Sequence, residues 1–395
     1  MKRIAWLDTL RVLAALLVLM GHYSYVAAAG PEVHHFLFAY FVDLGQVGNM
    51  LFFAVSGYLA ANSLENSSNI LEYYRRKIIR LSIPYAAAYI VLTALVVLLG
   101  IFESKLLNQS PVQNLISDSG DLKVTLFGML PLASDFNLIQ LFQIPMQNFT
   151  TESFVGEWFM ATIIYLYLIS PLLYKLLRWN CAVTFAAFFI IAGLAFNLEL
   201  EFANAGYIFG NRTFFLIRVP EFLLGMVLFV YKDFISKNIR RLTEFFSVLA
   251  VALLIHSIFF NNYDEAIWAR IFFNSPVNEF RHPIDSSPVN QWKYLLADII
   301  IVYFSCIAAF YLNKHFGRFL NSFNSFSNIS YLAMLMNRVV IYRFWGIYGF
   351  SNLSTAGALF FFVLIVLTVI FLSERILKIY NPVEERLIKR RLFLE

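Results

Sequence analysis

WLDTLRVLAALLVLMGHYSYVAAA, residues 6–29, is the stretch that decides how this chain must be read. About twenty residues at ~1.5 Å each cross the hydrocarbon core of a bilayer, and this run is long and apolar enough to do so. It nevertheless carries Asp8, Arg11 and His22. Arg11 and His22 are eleven residues apart. At ~100° per residue that spacing returns both to nearly one face of a helix, on the order of 16 Å apart along its axis. An ionisable group at such depth costs roughly a few kcal/mol or more, so it faces a bundle interior or a wet cavity. A cation near one membrane surface is thus aligned with an imidazole further in.

The rest of the chain supports a membrane reading. Of 395 residues 60% are hydrophobic, 43 are Phe and only 14% are charged, with a mean hydropathy of +0.68. Soluble domains carry about 25% charged residues. The apolar runs reach eighteen residues or more and do not alternate, which is the pattern of an all-α helical bundle and not of a β-barrel. The first run is too long and too polar for a cleavable signal. The net charge of +5 is accounted for by basic loops at a membrane face, and no feature points to nucleic acid. Cys181 and Cys306 lie inside apolar runs, where free cysteine is an inert packing residue.

About ten transmembrane helices are expected, over 6–29, 36–62, 82–101, 157–177, 181–198, 213–231, 243–261, 293–312, 326–348 and 354–373. The ninth is interrupted by Asn337, Arg338 and Arg343. The stretch 124–146, broken by Pro131, Asp135 and Pro145, is expected to be interfacial or re-entrant. With the N-terminus inside, twenty Lys and Arg fall in inner segments and six in outer ones, so both termini are expected to be cytoplasmic. Residues 1–380 would form one transmembrane domain and 381–395 a basic tail. Of the two large outer segments, 102–156 and 262–292, the second mixes Trp, Tyr, Asn, Asp and Arg. That mixture suits docking of a sugar or polyprenyl-linked head group, and equally an ordered solvent-facing loop.

Several residues are candidates for chemistry. A neutral imidazole such as His22 can take up and return a proton, or it can simply pack between helices. Arg11 can recognise phosphate with its forked donors, pair with its i,i+3 neighbour Asp8, or do both. In the run Arg75, Arg76, Lys77, Arg80, the i,i+4 pair Arg76 and Arg80 can act on one phosphate, although topology alone also explains such a cluster. Glu157 and Trp158 open the fourth span, where Trp is commonly an interfacial anchor and a carboxylate can orient a hydroxyl. Ser56-Gly57 has no nucleophile-elbow context, which favours packing. Arg218 and Glu221 read as a buried ion pair. Asp298 and His256 are further ionisable groups within spans. No His, Cys, Asp and Glu have metal-ligand spacing.

The segment LDTLRVLAALLVLMGH, with Arg, ten residues, then His, resembles the signature of the membrane-bound acyltransferase-3 family. LFFAVSGYL (51–59), YYRRKIIRLSIPY (73–85), GEWFM (156–160) and RVPEFLLGM (218–226) are similar to family segments in family order. The resemblance implies an integral membrane O-acyltransferase of the bacterial inner membrane. It would move an acyl group, most simply acetyl, from cytoplasmic acyl-coenzyme A to a hydroxyl of a glycan or glycolipid at the outer side. Acyl-coenzyme A would be a co-substrate, with no permanently bound cofactor.

By the same resemblance His22 is the catalytic base, and Arg11 with the basic run of Arg75, Arg76 and Arg80 holds the donor. The separation of Arg11 from His22 is comparable with an extended pantetheine arm, on the order of 15–20 Å. Asp8, Ser56, Trp158 and Asn337 would support the site, and Glu157 would orient the acceptor or the His. Family members commonly carry a His late in the chain where NISYLAMLMNRVVI offers Asn337. Asn can keep a hydrogen bond but cannot shuttle a proton. A transporter or flippase for a polysaccharide intermediate would share the buried charges, without paired Gly/Pro-broken segments in two halves.

Overall fold

The computed structural model describes residues 4–28, 44–106, 157–204, 214–260, 288–320, 324–348 and 355–389. The described residues are helical throughout, apart from short turns. The helices are α1 (Ala5–Ala28), α2 (Leu44–Glu65), α3 (Ile70–Leu106), α4 (Glu157–Trp179) and α5 (Cys181–Asn204). After a 3-10 turn over Phe215–Arg218 come α6 (Val219–Val230), α7 (Lys232–Phe260), α8 (Pro288–Leu320), α9 (Asn324–Tyr348) and α10 (Thr355–Lys389). One helix lies over each expected span. Seven of them are long and apolar enough to cross a membrane. Of the segments expected on the outer side, 107–156, which takes in 124–146, and 262–287 lie outside the described residues.

Several helices depart from their expected bounds, α7 and α8 by extending past theirs and three others in more telling ways. The basic run does not sit in a loop. It forms the first turns of α3, a single helix of 37 residues that continues through Pro84, because membrane helices re-satisfy the backbone groups a proline frees. The sixth span divides into the 3-10 turn and the twelve-residue α6. Pro220 fits the first turn of α6, where its missing N–H removes no helical bond. Finally, α10 runs through Pro382 to Lys389, so most of the expected tail continues the last helix.

The core forms around α2, whose residues from Gly48 to Ala61 are almost all buried. A helix apolar on every side has to lie inside a bundle. It packs on α6 with two backbones nearly touching. A Cβ at Gly57 would stand 1.9 Å from the Phe222 carbonyl oxygen, and one at Gly225 would stand 1.8 Å from that of Ala54. Small residues allow this approach where lipid supplies little drive for helix association. On its other side α2 meets α1 in antiparallel register. Trp6 packs edge-on to Tyr58 with ring centres 5.3 Å apart, and Gly45 faces Gly21.

The α1 helix buries Leu7, Leu10, Ala14 and Val18, and leaves Leu13 and Leu16 exposed. That is one inward stripe at helical spacing with a face left for lipid. On α10, Phe360, Val363, Leu367 and Phe371 are exposed, an outward apolar stripe that also suits lipid. The Tyr23 hydroxyl donates to the Ala358 carbonyl of α10 at 2.5 Å, fixing the far end of α1.

Candidate active site

Asp8 is buried at the beginning of α1. Its Oδ1 accepts from the Arg11 guanidinium at 3.4 Å and from the Ser327 hydroxyl of α9 at 2.9 Å. The i,i+3 pairing expected from the sequence is therefore present, and a second helix holds it in place. Arg11 itself stays about one-third exposed. A guanidinium held by a carboxylate and still reached by solvent can bind an anion.

The basic run distributes its four cations in different directions. Arg75 donates to the Leu387 carbonyl oxygen of α10 at 2.5 Å. Arg76 pairs with Glu72, one turn back on its own helix. Lys77 turns inward and is buried, donating to the Leu59 carbonyl oxygen at 3.2 Å. Its ammonium lies 4.6 Å from the centre of the Tyr167 ring, within range of a cation–π contact. The charges of Arg80 and Arg11 both bear on Lys77. The same two arginines act on Tyr167, whose hydroxyl is met by Ser56.

Arg11 of α1, Lys77 and Arg80 of α3, Tyr167 of α4 and Ser56 of α2 thus come together at one end of the bundle. Lys77 is a member that the sequence reading left out in favour of its neighbours. Its signal was present: in α3 it lies three residues before Arg80, on the same helical face.

Ser56-Gly57 serves two purposes. Gly57 makes the close contact with α6, as its packing role required. Ser56 turns toward Tyr167. On α4, Phe159 stacks on Phe53 with ring centres 5.0 Å apart, so this helix starts level with the middle of α2. The side chains of Glu157 and Trp158, and that of His256, lie outside the described residues.

His22 is half-buried, four turns along α1 from Asp8. The charge that acts on it comes from Arg338 of α9. Asn337, the residue standing where the family often has His, is fully buried and donates to the Met334 carbonyl of its own helix.

Arg218 and Glu221 form an ion pair of 3.1 Å with both side chains at 0% exposure. Arg218 also donates to Gln46 of α2 at 2.9 Å. The pair is therefore local to the 3-10 turn and α6, and the tie to a second helix runs through Gln46. Asp298 of α8 is buried and its charge bears on Glu221. Gln46 thus ties the pair to α2, while Asp298 brings a like charge from α8 toward Glu221.

A family model described as an acyltransferase domain matches residues 4–373. No curated protein and no solved structure matches the chain. The match begins just before α1 and ends within α10, so it takes in Arg11, the α3 cations and His22 together. The chain belongs to the acyltransferase-3 family and is a multi-pass membrane acyltransferase, helical across its described residues apart from short turns.

Proposed function

We propose that this protein is an O-acyltransferase that takes an acyl group, most simply acetyl, from acyl-coenzyme A and passes it to a hydroxyl of a glycan or glycolipid. The single observation that carries the reading is the line along α1. Arg11 sits among Lys77, Arg80 and Tyr167 at one end, and His22 lies on nearly the same face about 16 Å further in. Clustered cations suit the phosphates of the donor. A carrier arm extending along α1 would bring its thioester to the imidazole.

Catalysis would rest on two effects. Holding donor and acceptor together removes the entropic cost of their encounter. His22 takes the hydroxyl proton as the oxygen attacks the thioester carbon, and returns it to the departing thiolate. Ten crossings with both termini in the cytoplasm put the cation cluster on the side where acyl-coenzyme A is made. They leave the acceptor to arrive from the outer face of a bacterial inner membrane. The positive-inside distribution of Lys and Arg supports this orientation.

Mass spectrometry of surface glycans from cells with and without the protein tests the reading. A mass difference of one acyl group per modified sugar is expected. Identical glycan masses together with a transport defect would favour a flippase instead.

A further inference from the structure

We infer that Arg338 is a catalytic residue of the same reaction: its guanidinium binds the thioester carbonyl oxygen beside His22 and holds the negative charge that develops there. This rests on the acyl-transfer reading above and adds to it a second group at the reacting carbon.

Ser327, in the first turn of α9, is bonded to Asp8 in the first turn of α1 at 2.9 Å. The two helices therefore start at one level, and they run side by side in the same direction. Arg338 follows Ser327 by eleven residues, the spacing that separates His22 from Arg11. Eleven residues at ~100° make three turns and about 20°, so Arg338 shares the face by which Ser327 meets α1. It stands about 16 Å above Ser327, while His22, fourteen residues beyond Asp8, stands about 21 Å above that same level. Arg338 thus approaches His22 from roughly one turn closer to the cation cluster, the side from which a donor thioester would arrive. The coupling of its charge to His22 agrees with this placement.

A second observation narrows its role. Asn337, the neighbour in the family's His position, is turned back onto the Met334 carbonyl. In this chain the charged group that α9 presents near His22 is therefore the next residue along. A half-buried guanidinium facing a base has little use as a second base, since it does not give up its proton near neutral pH. It does suit an oxyanion, because fixed donors in a water-poor site stabilise developing charge strongly.

The step balances without any further reactant. The acceptor oxygen bonds to the thioester carbon, and its proton passes to His22. The carbonyl π pair moves onto oxygen, facing Arg338. The tetrahedral adduct then collapses, the C–S bond breaks, and His22 returns the proton to the thiolate.

The test uses the full-length protein in liposomes, with acetyl-coenzyme A as donor and water as acceptor, following release of free thiol. Arg338→Gln is expected to lower kcat by about a hundredfold or more while the KM for acetyl-coenzyme A stays unchanged. Added guanidinium is expected to restore part of the rate to Arg338→Ala. If Gln and Ala variants do not fold, Arg338→Lys carries the test, with kcat expected to stay within about tenfold of wild type, since a point charge replaces the fork.

Wild-type kcat in Arg338→Gln would overturn the inference. So would a loss confined to KM, or a folded Lys variant without turnover. His22→Ala run in parallel separates the two levels. If wild type itself shows no turnover, or His22→Ala equals it, the acyl-transfer reading fails. If His22 behaves as proposed and Arg338→Gln does not, only this inference fails.

Discussion

Asp8 and Ser327 meet across 2.9 Å, and the carboxylate that accepts this hydroxyl is also the one that holds Arg11. The orientation of the guanidinium is therefore set by two helices. Ser327→Ala is expected to cost about 1 kcal/mol, the usual worth of one hydrogen bond, and to leave Arg11 tethered. Asp8→Ala takes from both residues the carboxylate they share. It is expected to destabilise by roughly 1–3 kcal/mol and to raise the KM for acetyl-coenzyme A several-fold. Detergent unfolding curves and donor titration of the two variants check this ordering.

The cations of α3 are expected to differ in their effects. Lys77 and Arg80 share their surroundings with Arg11, whereas Arg76 is paired with Glu72 and Arg75 caps α10. Lys77→Gln and Arg80→Gln should each weaken donor binding more than Arg76→Gln does, and their effect should shrink as salt screens the site. Arg75→Gln should act on stability instead. Donor affinity measured at two ionic strengths distinguishes the four.

Gly57 and Gly225 leave no room for a methyl group. An alanine at either position must push α2 and α6 apart, with an expected cost of about 1–3 kcal/mol or more from overpacking. Because both substitutions force the same separation, the double variant should lose less than the sum of the singles. Size-exclusion profiles and unfolding midpoints in detergent give the comparison.

Arg218 is buried with Glu221 and Gln46. Removing one member of a buried pair leaves an uncompensated charge, so Arg218→Met should destabilise by about 3–5 kcal/mol. Adding Glu221→Gln should recover much of that loss. A double-mutant cycle on folded protein measures the coupling, and additive losses would show that the two residues act independently.

Much of this arrangement was legible in the sequence, and the limits have physical causes. The Arg-x10-His spacing needs only the helical repeat to put both groups on one face, so α1 could be read directly. Hydropathy placed the helices but not their ends, because α3, α7, α8 and α10 extend past the apolar runs through amphipathic turns whose charged residues read as loops. The choice among Arg75, Arg76, Lys77 and Arg80 was legible only in part, through the spacing that puts Lys77 and Arg80 on one face. It depends on which partner each side chain finds, and Glu72 and Leu387 claim two of them. Arg338 read as an interruption in a weak span, since nothing local shows that Ser327 is bonded to Asp8 and sets the register between α9 and α1.

The central claim is that Arg11 and His22 serve one donor along one helix face. The most direct measurement is thiol release from acetyl-coenzyme A by purified protein in liposomes, comparing wild type with His22→Ala and Arg11→Ala. The account predicts that His22→Ala loses at least about a hundredfold in kcat with donor binding intact, and that Arg11→Ala loses donor affinity first. Undiminished turnover in His22→Ala would contradict it.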